Sequence, residues 1–242
     1  YVDRGPHNEE HVKGDGQREA DHMGLLQSSV QRRHQKLIEE SPCSAIDADT
    51  RVAMGEAAVR LAKAADYVNA GTVEFLLDTD LSFYFMEMNT RLQVEHRVTE
   101  MVTGLDLEEI QLRVAAGEVL PISQEDVSSK GHAIEARIYP EDPETFMPDA
   151  GPITGLHLPT SEHVRVDSAL CNDYGVGLDY ESLMAKIMAW GEDRKQAIKT
   201  LQAALLELRL EGVKCNLPLL RDILATKEFP EGTFHTGSVP KW

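Results

Sequence analysis

The sequence is short of several things, and each shortage excludes something. Only three cysteines, Cys43, Cys171 and Cys215, occur in 242 residues. They stand far apart without metal-ligand spacing, which argues against a disulfide framework and for reduced intracellular thiols. No apolar run reaches the ~18 residues that a membrane span needs, and the mean hydropathy is −0.32. Tyr1 to Lys13 is polar and charged and lacks the apolar stretch of a signal peptide. Cations are scarce: 24 Lys and Arg face 41 Asp and Glu, a net charge of −17. Such a surface repels nucleic acid and anionic lipid wherever no local basic patch overrides it. An initiating Met is also missing, so the expectation is an incomplete protein. What is present, 42% hydrophobic and 27% charged residues, is a globular composition sufficient for one large domain or two small ones.

Residues 5–28 are polar, show neither period, and read as a loop or an irregular edge. At Ser29 the character changes, with Arg32, Arg33, His34 and Lys36 crowded into five positions. A helix is predicted next, capped by Asp49 or Thr50, with Val52, Gly55, Val59 and Ala62 on its inner face. TVEFLLD and FYFMEMN read as a hairpin. Asp106 opens a further helix with Glu109 as capping partner, Leu107, Ile110 and Val114 as stripe and Gly117 as C′ residue. PISQEDVSSKG suggests a subdomain boundary near residue 125. Beyond it, HAIEARIY, ITGLHLP and HVRVDS read as strands. DRKQAIKTLQAALLELRLEG reads as one long helix with Ile198, Leu201, Leu205 and Leu208 on one face, stopped by Gly212, and Asn216 to Thr226 as a short helix. Elements mixed without βα alternation favour an α+β fold.

The chemistry concentrates in FMEMNTRLQVEH, residues 85–96. As a strand it would put Glu87, Asn89, Arg91, Gln93 and Glu95 on one face and Met86, Met88, Leu92 and Val94 on the other. A half-exposed strand with a solvated face explains this pattern. A built site explains it too, because that face carries no Lys, Ser or Thr and a neighbouring strand holds Glu74 among Val73, Phe75, Leu76 and Leu77. A carboxylate in so apolar a run needs a cation or another partner.

EMNTRLQVEH, followed by TEM-TGLDL and preceded by QRRHQK-EESP and GTVEF, resembles biotin carboxylase, an ATP-grasp ligase. GHAIEARIYPEDP, HVRVDS and MAKIMAWGEDR resemble the C-terminal part of the same enzyme in the same order, and the likeness runs from about Ser29 to Gly237. It implies the C-terminal half of an ATP-grasp domain over 1–125, with 5–28 divergent, and the biotin carboxylase C-terminal domain over 126–242. By the same resemblance, Glu74, Glu87 and Asn89 hold Mg²⁺ or Mn²⁺ on the phosphates of ATP. Lys36, Arg91, Gln93 and the backbone of Val94 hold bicarbonate, and a guanidinium fork suits that anion. Glu95 is the general base that makes bicarbonate nucleophilic toward the γ-phosphate, giving carboxyphosphate and then carboxylated biotin. Arg165 stabilises the biotin enolate, and Gln31, His34, His7 and Glu9 lie at the nucleotide. The implied partners are a biotin carboxyl carrier protein or domain, a carboxyltransferase and a second copy in a homodimer; the implied compartment is the cytoplasm, with an organelle left open.

The sequence departs from the family in four places. No GGGGKG-like phosphate loop is present, so the chain alone is expected to be inactive. Residues 5–28 break the pattern, Arg97 stands where the family has proline, and Leu178 to Leu183 replaces Pro-Tyr-Tyr-Asp-Ser/Pro-Met. A truncated paralogue kept as a structural or interaction module is the alternative from a different class. Carbamoyl phosphate synthetase, another ATP-grasp ligase, fits the C-terminal segments less well.

Overall fold

The structure, a computed structural model, describes residues 7–15, 20–32, 35–78, 80–177 and 182–234. Along the chain come β1 (His7–Gly14), β2 (Ala20–Arg32), β3 (Gln35–Ser41), α1 (Ala48–Ala64), β4 (Asn69–Leu77), β5 (Phe83–Asn89), α2 (His96–Thr103) and α3 (Leu107–Ala115). There follow β6 (His132–Ile138), β7 (Gly151–Pro152), β8 (Gly155–His157), β9 (Val164–Ser168), β10 (Gly175–Val176), β11 (Ala185–Gly191), α4 (Arg194–Glu207), β12 (Arg209–Glu211), α5 (Leu217–Ala225) and α6 (Glu228–Glu231). The pairs β1–β2, β1–β4, β4–β5, β7–β10, β8–β12 and β9–β11 are antiparallel, which suits an α+β fold.

Two compact units divide the chain: Tyr1–Ser29 with Glu39–His132, and Val30–Ile38 with Ala133–Trp242. The division is interleaved, because the end of β2 and the start of β3 belong to the second unit. In the first unit the strands lie in the order β5-β4-β1-β2. Helix α1 packs on one face, where Met54, Ala58 and Ala62 meet Val12, Leu25, Val73 and Phe75. In a separate cluster of this unit, Leu107, Ile110 and Val114 of α3 pack around Met23. In the second unit β6, β11 and β9 are neighbours, and α4 and α5 bury Leu201, Leu205, Leu220 and Ile223 in a core with Ile134, Ile138 and Ile187.

The largest departure from expectation is residues 5–28, whose described part is mostly strand. The sequence hides β1 because nothing in it is amphipathic: all eight residues are buried. Its polar side chains find partners far along the chain. His11 Nδ1 meets Thr99 Oγ1 at 2.9 Å, the Lys13 ammonium donates to the Leu107 carbonyl at 2.7 Å, and Cys43 Sγ donates to Asn8 Oδ1 at 3.0 Å. Glu10 accepts from the Gly24 N–H at 2.9 Å and pairs with His22 at 3.0 Å, which raises the pKa of His22 against the opposing effect of burial. A polar strand is tolerable inside a sheet only when such bonds are made.

Smaller differences have equally local causes. Helix α1 is capped by Asp47, whose carboxylate accepts from the Thr50 N–H, and not by Asp49 or Thr50. Its buried residues are Met54, Gly55, Ala58 and Ala62. At about 100° per residue these fall within an arc of about 100°, outside which Val52 is 56% exposed. The long helix ends at Glu207, because Arg209–Glu211 is recruited to pair with β8. Gly212 is then a turn residue with φ +96°, and a Cβ there would stand 2.1 Å from the Pro152 carbonyl oxygen. The ITGLHLP strand shortens to Gly155–His157. Helix α3 carries the expected stripe, and Asp106 caps it. The hairpin β4–β5 and the helix α5 also form as read.

Burial pulls the Lys13 pKa down from its ordinary value to about 8, against the attraction of Glu100 and Asp106. Between that value and the ordinary 10.5 the unfolded chain binds the proton that the folded chain has released. Stability from this group therefore rises with pH across the interval. In thermal melts at several pH values, the stability of wild type relative to Lys13→Met should be lowest at pH 7 and improve as pH rises through 8.

Candidate active site

The site is built on the antiparallel ladder of the first unit. Glu74 of β4 lies directly opposite Glu87 of β5 on one side and Glu9 of β1 on the other. Carboxylates facing one another across strands repel unless something positive lies between them. Here that something is a set of N–H groups. Asn89 Nδ2 donates to Glu74 Oε1 at 2.6 Å and approaches Glu87 Oε1 at 3.5 Å. Gln93 Nε2 donates to the same Glu74 oxygen at 2.9 Å, and His7 Nε2 meets Glu74 Oε2 at 2.7 Å. Glu74, Gln93, His7 and Glu9 are buried, whereas Glu87 is exposed at the edge strand. Two opposed carboxylates with an amide between them are hard oxygen donors, which fits Mg²⁺ or Mn²⁺.

The strand does not continue to Glu95, as its alternation suggests. It stops at Asn89, residues 90–95 turn, and Glu95 becomes the N-cap residue of α2. His96 fixes this turn, because its Nδ1 lies 2.6 Å from the Gln93 carbonyl oxygen. Glu95 is consequently buried at a helix start, while Arg91 is exposed on the turn with Nη1 only 3.4 Å from the adjacent Leu92 carbonyl. Val94 is half-buried. The helix signal was available: Val98 and Val102 at i, i+4 and Gly104 as a left-handed C-cap, φ 74°.

Arg97 does not place a loose charge beside Glu95. Its guanidinium meets Glu100 at 2.6 Å and Glu108 at 2.9 Å, joining α2 to α3. Glu100 also accepts the Leu107 N–H at 2.7 Å, so a cation has taken over the bracing of the turn. Sequence reading missed this network because its members are distributed over two helices.

Gln31, Lys36 and Arg165 belong to the second unit; His34 and Leu178 to Glu181 lie outside the described residues. Tyr139 Oη donates to the Lys36 carbonyl at 3.3 Å, and Gln31 is half-buried on β2. Arg165 is exposed on β9 and its Nε donates to Asp167 at 2.9 Å. Asp167 in turn faces Lys186 at 3.6 Å, and Lys186 faces Glu135 at 3.8 Å. The i, i+2 pairing of Arg165 with Asp167 is readable from strand alternation alone.

Two ion pairs separate burial from mere proximity. Arg97→Met should cost about 3 kcal/mol in denaturant unfolding, because it strands the buried Glu100. Arg60→Met, which breaks an exposed pair with Glu56, should cost less than about 0.5 kcal/mol.

Comparison with known proteins finds two families matched in succession along the chain. Residues 1–123 match the family described as carbamoyl-phosphate synthase L chain, ATP binding domain, and residues 135–241 match the biotin carboxylase C-terminal domain. Biotin carboxylase 2 of Bacillus subtilis is 52% identical over 215 residues, 89% of this chain and 48% of that protein. The mitochondrial methylcrotonoyl-CoA carboxylase subunit alpha of Rattus norvegicus is 47% identical over 243 residues, 100% of this chain and 34% of its own length. The Campylobacter jejuni biotin carboxylase in its β,γ-ATP complex superposes with a TM-score of 0.95 at 44% identity, covering 98% of this chain and 53% of that one. The biotin carboxylase domain of a thermophilic 2-oxoglutarate carboxylase bound to bicarbonate gives 0.96 at 40%, covering 98% and 54%. The chain thus spans about half the length of these biotin carboxylases. An ATP binding domain of the carbamoyl-phosphate synthase L chain kind over residues 1–123, followed by a biotin carboxylase C-terminal domain over residues 135–241, makes this chain a member of the biotin carboxylase family.

Proposed function

We propose that this chain supplies the metal-, bicarbonate- and biotin-facing residues of a biotin carboxylase, with residues 1–125 as ATP-grasp portion and 126–242 as C-terminal domain. The observation that carries the reading is the opposed pair Glu74 and Glu87 with Asn89 between them. These three would hold Mg²⁺ or Mn²⁺, which supplies charge neutralisation to the nucleotide phosphates. The family resemblance assigns Gln31, His34, His7 and Glu9 to the nucleotide.

The family resemblance assigns Arg91, Lys36, Gln93 and the Val94 backbone to the bicarbonate. Glu95 takes its proton, and the resulting carbonate oxygen attacks the γ-phosphorus of ATP. ADP leaves and carboxyphosphate forms; it breaks down to CO₂ and phosphate, the phosphate takes the N1 proton of biotin, and N1 of the resulting ureido enolate bonds to the CO₂. Burial of Glu95 at the start of α2 keeps water from competing for that proton position. Arg165, held by Asp167, offsets the negative charge that develops on the ureido oxygen. A biotin-bearing carrier and a carboxyltransferase are the partners, a homodimer the assembly and the cytoplasm the compartment.

The 242 residues contain no glycine-rich GGGGKG segment to grip phosphates, so the chain alone should not cleave ATP in a bicarbonate-dependent way. A phosphate-release assay reading sustained turnover would overturn that. The metal reading is checked by titrating Mn²⁺ with calorimetry. Glu87→Gln should weaken binding by about tenfold or more; undiminished affinity rejects the assignment. Absence of any heat with Mg²⁺-ATP favours the non-catalytic interaction module instead.

A further inference from the structure

Glu74 has a second neighbourhood, on the side of β1. His7 and Glu9 share one face of that strand, and Glu9 is the cross-strand partner of Glu74. One donor atom from each of His7, Glu9 and Glu74 lies within 4.8 Å of the others, and all three residues are buried. We propose that these three form a site for a nitrogen-preferring divalent ion, of the zinc or cobalt kind, which binds without nucleotide and without Glu87.

Donor chemistry points to that class. Zinc and cobalt take imidazole nitrogen and carboxylate oxygen together, whereas magnesium favours oxygen and its own water. The imidazole is also posed for the task. His7 Nε2 lies 2.7 Å from Glu74 Oε2, and Nδ1 lies 3.8 Å from Glu9 Oε1. One ring nitrogen thus faces the Glu74 carboxylate, and the other lies on the side of the Glu9 carboxylate. An ion that replaces the proton between Nε2 and Glu74, at about 2.1 Å from each, opens that pair to about 3.4 Å. This is a side-chain movement of well under an ångström.

A separate observation points to the missing ligand. Gln93 is 3% exposed, and its Oε1 has no hydrogen-bond partner among the described residues. Its Nε2 donates to Glu74 Oε1, which puts the unmatched oxygen within about 5 Å of the same carboxylate by amide geometry. Thr72 Oγ1, two residues before Glu74 on the same face of β4, is likewise buried and unmatched. Buried acceptors of this kind call for a donor. A water on the bound ion supplies O–H groups there and fills the coordination that three protein ligands leave open.

Cobalt and zinc added to the nucleotide-free chain provide the test. Zinc calorimetry should show one site whose affinity falls about a hundredfold in His7→Gln and stays within twofold in Glu87→Gln. Equal affinity of wild type and His7→Gln overturns the proposal, as does an equal loss in Glu87→Gln. Loss in Glu87→Gln of manganese binding alone leaves it standing, so failure of the magnesium reading and failure of this one are distinguishable. Should His7→Gln not fold, the visible spectrum of the cobalt-loaded wild type decides. A nitrogen–oxygen spectrum supports the site, and a thiolate charge-transfer band shows that a cysteine holds the metal instead.

Discussion

One carboxylate organises the first unit. Glu74 sits on β4 between β1 and β5 and receives N–H groups from Asn89, Gln93 and the His7 ring. These three come from the far strand, the turn after it and the first strand, so a single buried anion ties three separate stretches of chain into one geometry. An unpaired carboxylate in this position would be prohibitive. Matched, it fixes where Gln93 lies, and Gln93 with His96 fixes how the chain enters α2 and where Glu95 is presented. The arrangement that suits a cation is thereby preformed by hydrogen bonds that occupy the same oxygens.

How much of this was readable depended on whether a residue announces its own partner. The hairpin carrying Glu74 and Glu87 was legible from alternation and a polar turn, and α3 from Asp106, its stripe and Gly117. Strand β1 was not, because His7, His11 and Lys13 satisfy themselves on β4, α2 and α3. Periodicity records apolar burial, and it is silent where a buried face is polar. The turn at Thr90 was lost for the opposite reason. Alternation of polar and apolar residues continued past Asn89 and mimicked a strand, while Val98, Val102 and Gly104 already marked a helix.

The role of family resemblance was different in kind. Position by position it proposed metal, anion and nucleotide contacts, and the ladder brings Glu74, Glu87 and Asn89 within contact of one another. It had no means of foreseeing what a departure does. Arg97, in place of a rigid proline, is held by Glu100 and Glu108, so a conformational restraint has been exchanged for an electrostatic one. Such a brace depends on ionic strength and pH, where a proline ring depends on neither.

The interleaving of the two units has a consequence for anyone who wishes to separate them. A cut near residue 125, where the polar PISQEDVSSKG segment invites one, does not release self-contained pieces. Val30, Leu37 and Ile38 belong to the core of the second unit, yet they are delivered by the end of β2 and the start of β3. The downstream fragment would lose three buried side chains, and the upstream fragment would carry them bare into solvent. Residues 30–38 are thus covalently embedded in one unit and thermodynamically a part of the other.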